Sequence, residues 1–323
     1  MTNLHRERQA VPLDDLMDAL GPIWARDIVG HSRQVIDAYT AVLRAQPGIA
    51  LHAIRDVPYG LNVRQRLDVY GAPGLAHAPV AVFVHGGAFV RGQKDVTDGV
   101  YANVPRYFAQ HGWLGVNVEY RLAPDAVFPA GALDVDLALQ YVRRHARGWG
   151  GDASRIVLIG HSAGGAHAAT FACDPEVCPR EGPGISALVL IGARVRADAR
   201  LDNPNADAVR AYFGPDEALY EERSPVTHAG RAPMPVLVAV AQFENPHLAA
   251  YGRELFDRVS RRAGSQDRFL TLVGHNHTSA VAHLGSADGA FGRELLAFCR
   301  DIGVTTSSAC STEPASRSLE PRS

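Results

Sequence analysis

The stretch Gly160-His161-Ser162-Ala163-Gly164-Gly165 constrains this chain more than any other. It follows the apolar run Ile156-Val157-Leu158-Ile159 and precedes Ala166-His167-Ala168-Ala169, so the pattern reads strand, abrupt turn, helix. Gly-x-Ser-x-Gly at such a junction puts the serine on a strained backbone, and only small neighbours let strand and helix approach closely enough to push its hydroxyl outward. Ser162 is therefore the candidate nucleophile. A phosphate-binding turn of the dinucleotide type is the alternative reading, but glycines at 160, 164 and 165 do not spell G-x-G-x-x-G.

Strand and helix patterns alternate on both sides of this turn. Residues 62–70, 80–84, 114–120, 187–191, 236–241 and 269–273 read as strands, with Val80-Ala81-Val82-Phe83-Val84 continuous enough to be covered on both faces. Leu133, Leu137 and Tyr141 share a helical face from which Asp134 and Asp136 point away; Leu248, Tyr251, Leu255 and Val259 make another, and Phe291, Leu295, Phe298 and Ile302 a third. The expected fold is α/β, a mostly parallel sheet with helices on both faces. Residues 1–48 read as helical, with faces Leu13, Leu16, Met17, Leu20 and Ile28, Val35, Ile36, Tyr39, Leu43, and form an N-terminal lid segment ahead of the first strand. The main domain runs over 49–303; 193–232 is charged and irregular and reads as an insertion fit to serve as a cap. Residues 304–323, rich in Ser, Thr, Pro and Glu, read as a disordered tail.

Composition excludes several classes. Lys plus Arg total 32 against 34 Asp plus Glu, a formal charge of -2, so no basic surface points to a nucleic acid. No apolar run approaches the roughly 20 residues needed to cross a bilayer, and the first ten residues do not read as a secretory signal. Four cysteines without C-x-x-C spacing fit reduced thiols in a cytoplasmic protein better than a disulfide framework, Cys173 and Cys178 being the one pair near enough in sequence to consider.

A serine hydroxyl needs a base within reach, and the base needs an orienting partner. In open parallel sheets such groups collect at the carboxyl ends of strands. Glu244 is the one carboxylate just past strand 236–241, and Gly274-His275-Asn276-His277 follows strand 269–273. His277 is preferred to His275, because Gly274-x-x-His277 leaves the loop room to turn back over the serine. His-x-His without a third ligand of suitable spacing does not argue for a metal, and no cofactor is expected. Backbone N–H groups of Gly86, Gly87 and Ala88, after strand 80–84, and of Ala163 suit an oxyanion. Phe89, His161 and Phe243 flank these positions and are the expected pocket walls.

His85-Gly86-Gly87-Ala88-Phe89, Tyr120-Arg121-Leu122-Ala123-Pro124, Phe128-Pro129-Ala130 and Gly160 to Gly165, in this order, resemble the hormone-sensitive-lipase-like carboxylesterases of the α/β-hydrolase superfamily. The Gly-His-Asn-His ending and Ala88 in place of a third glycine are also similar to arylformamidases and feruloyl-esterase-like relatives. The resemblance implies cofactor-free hydrolysis of small carboxylic esters by Ser162, an acid and a histidine, with the His-Gly-Gly loop as oxyanion hole; N-formylkynurenine-type amide hydrolysis and a non-catalytic ligand-binding fold are the alternatives. It also implies that Arg121 and Asp134 are scaffold. The partner is a small-molecule ester, and a homodimer fits as readily as a monomer.

Overall fold

The computed structural model describes residues 1–8, 11–46 and 48–306. Within them the strands are β1 (Thr2–His5), β2 (His52–Pro58), β3 (Arg66–Gly71), β4 (Ala78–Val84), β5 (Leu114–Val118), β6 (Gly151–His161), β7 (Ala187–Ile191), β8 (Val236–Phe243) and β9 (Arg268–Asn276). They form one sheet in the order β1-β9-β8-β7-β6-β4-β5-β3-β2. From β1 to β5 every neighbour is parallel; β3 pairs antiparallel with β5, and β2 with β3.

The period of two sorts side chains onto the two faces. Val80, Val82 and Val84 enter one core with Val135 and Leu139 of helix Ala130–His145, Phe171 of helix Ala163–Cys173 and Leu255 of helix Leu248–Val259. Ala81 and Phe83 enter the other with Phe108 of helix Asn103–Gln110 and Leu295 and Phe298 of helix Ala290–Asp301. Helices thus cover both faces, as expected.

Several local readings are overturned. Residues 1–48 are not helical throughout: β1 pairs parallel with β9, Thr2 opposite Leu270 and His5 opposite Val273. Thr-Asn-Leu-His on a largely exposed edge has no apolar alternation to announce it. The strand expected at 62–70 begins at Arg66, with β2 as its partner. In helix Ala130–His145 the faces are reversed. Leu133 and Leu137 are 43% and 38% exposed, while Asp134 is fully buried beside Val135, Ala138 and Leu139. A buried carboxylate is tolerated because it is paired and hydrogen-bonded: Gln65 Nε2 donates to it at 2.8 Å, Arg121 N at 2.8 Å and the Arg121 guanidinium at 2.7 Å. That clamp is the work of Arg121.

The segment 193–232 contains short helices, Ala206–Phe213, Tyr220–Arg223 and Pro225–His228, and no strand. At the start of the expected tail, Val304 is buried in the second core and its N–H donates to Cys299 O; the rest of that tail, from 307, lies outside the described residues.

Candidate active site

β6 ends at His161, and Ser162 turns the chain into helix Ala163–Cys173 with φ 54° and ψ -118°. A serine in this sparsely populated region costs about 1–3 kcal/mol and persists only where its surroundings over-determine it. They do so here: Ser162 N–H donates to Ile191 O at 3.0 Å, and Ser162 O accepts from Arg194 N at 3.0 Å and Ala166 N at 3.2 Å. Close approach comes from Gly164, where a Cβ would stand 2.3 Å from the carbonyls of both Val84 and His85. The first turn of the helix therefore lies directly on the end of β4, and the loop after β4 is brought to the serine.

In that loop His85 is fully buried, stacked on Tyr120 with ring centroids 4.4 Å apart; the Tyr120 hydroxyl donates to His85 O at 2.9 Å. At Gly87 a Cβ would collide with Arg91 O at 1.8 Å, and Arg91 N donates to Gly87 O at 3.0 Å, which ties the loop back on itself. Tyr101 sits against the Gly86 N–H; burial pushes its phenol up, partly offset by Arg91 and by that N–H. Gly86, Gly87 and Ala88 all line the cavity beside the serine, with Tyr101 against Gly86.

The acid and the imidazole meet because of strand register. Phe243 at the end of β8 is paired with Asn276 at the end of β9, so the residues that follow, Glu244 and His277, leave the sheet side by side. Glu244 Oε1 accepts from His277 Nδ1 at 2.5 Å and from Asn245 N at 2.8 Å, and Oε2 accepts from Ala241 N at 3.3 Å. With Nδ1–H directed at the carboxylate, Nε2 is the nitrogen left to take a proton. His277 and Ser162 line the same cavity, of about 270 Å³, with Gly86, Gly87, Ala88 and His161.

His161 does more than form a wall. Its Nε2–H donates to His277 O at 3.1 Å, its Nδ1 lies 3.3 Å from the Tyr101 hydroxyl, and its ring centroid is 4.7 Å from that of His277. Burial, aided by the neighbouring His277, drives its pKa well below the ordinary imidazole range. It is a neutral prop under the His277 backbone.

The two phenylalanines expected as pocket walls are elsewhere. Phe89 is 1% exposed, stacked on Tyr212 at 4.7 Å and edge-on to Phe213 at 5.3 Å. Phe243 packs into the N-terminal cluster, against the Gly21 backbone. Each lies at or just past a strand end, but its ring gains more by entering a core than by facing the cleft. His275 does not line the cavity; its Nε2 lies 3.2 Å from Asp288 Oδ2.

Helix Ile28–Ala45 supplies a wall that strand-end reasoning did not find. Ile28, Ser32 and Ile36 line the cavity. Ser32 Oγ and Thr278 Oγ1 are 2.9 Å apart, and the buried Trp24 Nε1 donates to Asn245 Oδ1 at 3.0 Å. The N-terminal segment is thus bonded to the loops carrying both Glu244 and His277. No local sequence signal marks these partners, since Trp24 and Asn245 are 221 residues apart. Arg91 on the rim reaches Asn205 Oδ1 at 3.2 Å.

The model of the BD-FAE family matches residues 67–248. Esterase LipC of Mycobacterium tuberculosis (strain ATCC 25618 / H37Rv) is 30% identical over 240 residues, covering 69% of this chain and 59% of LipC. Esterase LipQ of the same strain is 28% identical over 277 residues, covering 77% of this chain and 64% of LipQ. The chain thus spans about three-fifths of the length of these curated relatives. Among solved structures, the hyperthermophilic esterase from the archaeon Pyrobaculum calidifontis superposes with a TM-score of 0.69 at 22% identity, over 93% of this chain and all of that one. At that identity the likeness establishes the α/β-hydrolase fold.

Proposed function

The chain belongs to the BD-FAE family, and from that membership and the site's geometry we propose that it is a serine carboxylesterase acting on small esters through an acyl-enzyme. Ser162 Oγ attacks the ester carbonyl while His277 Nε2 takes its proton; Glu244 holds the imidazole tautomer and offsets the imidazolium charge. The N–H groups of the Gly86-Gly87-Ala88 loop and of Ala163 receive the oxyanion. The proton on His277 passes to the leaving alcohol. A water then gives up a proton to His277 and attacks the acyl carbonyl, and the C–O bond to Ser162 breaks as His277 returns that proton to Ser162 Oγ, releasing the acid.

The observation that carries this reading is the 2.5 Å contact between His277 Nδ1 and Glu244 Oε1 on the cavity that Ser162 lines. A cavity of about 270 Å³ suits short acyl and alcohol groups, and the relatives carry esterase names. All these groups come from one chain, so the reading holds for a monomer and a homodimer alike. Free thiols at Cys173, Cys178 and Cys299 support a cytoplasmic protein. Among the described residues no helix is long and apolar enough to cross a membrane.

The test is steady-state turnover of p-nitrophenyl acetate with fluorophosphonate labelling. Ser162→Ala is expected to lose turnover by several orders of magnitude and to lose the label while keeping its fold. Retained turnover in that variant would refute the assignment.

A further inference from the structure

Outside the cleft, on the far side of the His277 loop, three ligand-type side chains converge. We infer that His275, His283 and Asp288 form a binding site for one divalent transition-metal ion of the zinc class. One ligand atom from each lies within 4.8 Å of the other two. All three residues are buried, at 2%, 0% and 1% exposure.

The orphaned atom decides the reading. His283 Nδ1–H donates to Ser279 O at 2.6 Å, so its Nε2 carries a bare lone pair, and that buried atom has no hydrogen-bond partner among the described residues. A buried acceptor without a donor is an unpaid desolvation cost, and such groups call for a specific explanation. A cation in front of Nε2 supplies one. An ordinary His275–Asp288 hydrogen bond would leave His283 unexplained.

The surrounding hydrogen bonds suit coordination. Ser279 Oγ donates to Asn276 O at 3.3 Å, so it can accept from His275 Nδ1, 3.1 Å away, which frees His275 Nε2 as a ligand. Each imidazole thus has its Nδ1 held by an oxygen, the arrangement that fixes the tautomer of metal-bound histidines. Asp288 Oδ1 accepts from Glu7 N at 3.2 Å, leaving Oδ2 for the ion. His275 Nε2 and Asp288 Oδ2 are 3.2 Å apart; two ligands at about 2.0–2.1 Å from a tetrahedral ion stand about 3.3 Å apart. Two imidazoles, nitrogen ligands of borderline softness, outnumber the one hard carboxylate, which favours zinc over magnesium or calcium.

The ion would join the end of β9, the loop before helix Ala290–Asp301 and, through Glu7, the N-terminal segment. It would brace the base of the His277 loop without touching the reacting atoms.

The experiment uses tag-free full-length protein stripped with a chelator and titrated with Zn²⁺, and separately with Co²⁺ for its visible absorption. The wild type is expected to bind one equivalent of Zn²⁺, to melt at a higher temperature with it, and to give Co²⁺ bands of a four-coordinate site. His283→Gln and Asp288→Asn should abolish the bound equivalent and the melting shift, whereas His277→Gln should retain both. Should the Asp288 variant fail to fold, His283→Phe, which fills the space without a ligand atom, takes its place. Absence of a bound equivalent in the wild type overturns the proposal, and so does binding that survives His283→Gln but disappears in His277→Gln.

Discussion

Replacing Glu244 with glutamine changes one oxygen to an amide nitrogen with almost no change in shape. The Glu244 side chain is 3% exposed, and its oxygens face three N–H donors, from His277, Asn245 and Ala241. A carboxylate accepts from all three; an amide has one acceptor oxygen and a donating NH2. The better orientation keeps the oxygen on His277 and Asn245 and sets NH2 against Ala241 N–H, the longest of the three contacts at 3.3 Å. The tautomer then survives, but the negative charge that offsets the transition-state imidazolium is gone. Unit charges about 4 Å apart at an effective dielectric of about 20 attract by about 4 kcal/mol, so kcat should fall about a thousandfold. Should the amide rotate and set NH2 against His277 Nδ1, the wrong tautomer results and the loss grows to about ten-thousandfold. Steady-state kinetics on p-nitrophenyl acetate read kcat and KM, and a thermal melt checks folding. KM and melting temperature should hold nearly constant while kcat drops. A folded variant with kcat within about tenfold of the wild type would refute the charge argument.

Gly192 has φ 50°, and a Cβ there would lie 2.9 Å from both His277 Nδ1 and Glu244 Oε2. Gly192→Ala should therefore displace the pair and lower kcat by about a hundredfold, the size of effect a shift of about 1 Å produces, with slower fluorophosphonate labelling as a second readout. Trp24→Phe strands the buried Asn245 Oδ1 and should cost about 1–3 kcal/mol in denaturant unfolding; an unchanged midpoint would show that the N-terminal segment does not brace the Glu244 loop. His167 is buried with a pKa driven down to about 3, mainly by burial. Only the unfolded chain protonates it below about 6.5, so its contribution to stability is full above that pH and is lost as pH falls toward about 3. His167→Asn should reduce the slope of stability against pH in that window by at most about 1.4 kcal/mol per unit, the equivalent of one proton; an identical slope in the two proteins would count against it.

How much could be read from the residues varies with how local the cause is. Gly160 to Gly165 after four apolar residues foretells the turn at Ser162, because the steric demands of that turn are met within six positions. The runs at 80–84, 187–191 and 236–241 foretell buried strands for the same reason. Edge strand β1 was invisible because its main-chain partner, β9, rather than its own side chains, makes it a strand. The face of helix Ala130–His145 cannot be read from periodicity, which does not record that Asp134 is charge-paired with Arg121 and hydrogen-bonded by Gln65.

The chain by itself therefore determined the alternation of elements, the hinge at Ser162 and the short roster of acids and histidines at strand ends, since each depends on neighbours a few residues away. Only the tertiary structure decided that the histidine not chosen as base turns toward Asp288, what Phe89 and Phe243 pack against, and which residues of the N-terminal segment wall the cleft. Those outcomes rest on the register of Phe243 against Asn276 and on contacts such as Trp24 with Asn245. Groups hundreds of positions apart are brought together by burial and hydrogen-bond satisfaction summed over the whole core, and no short window of sequence contains that sum.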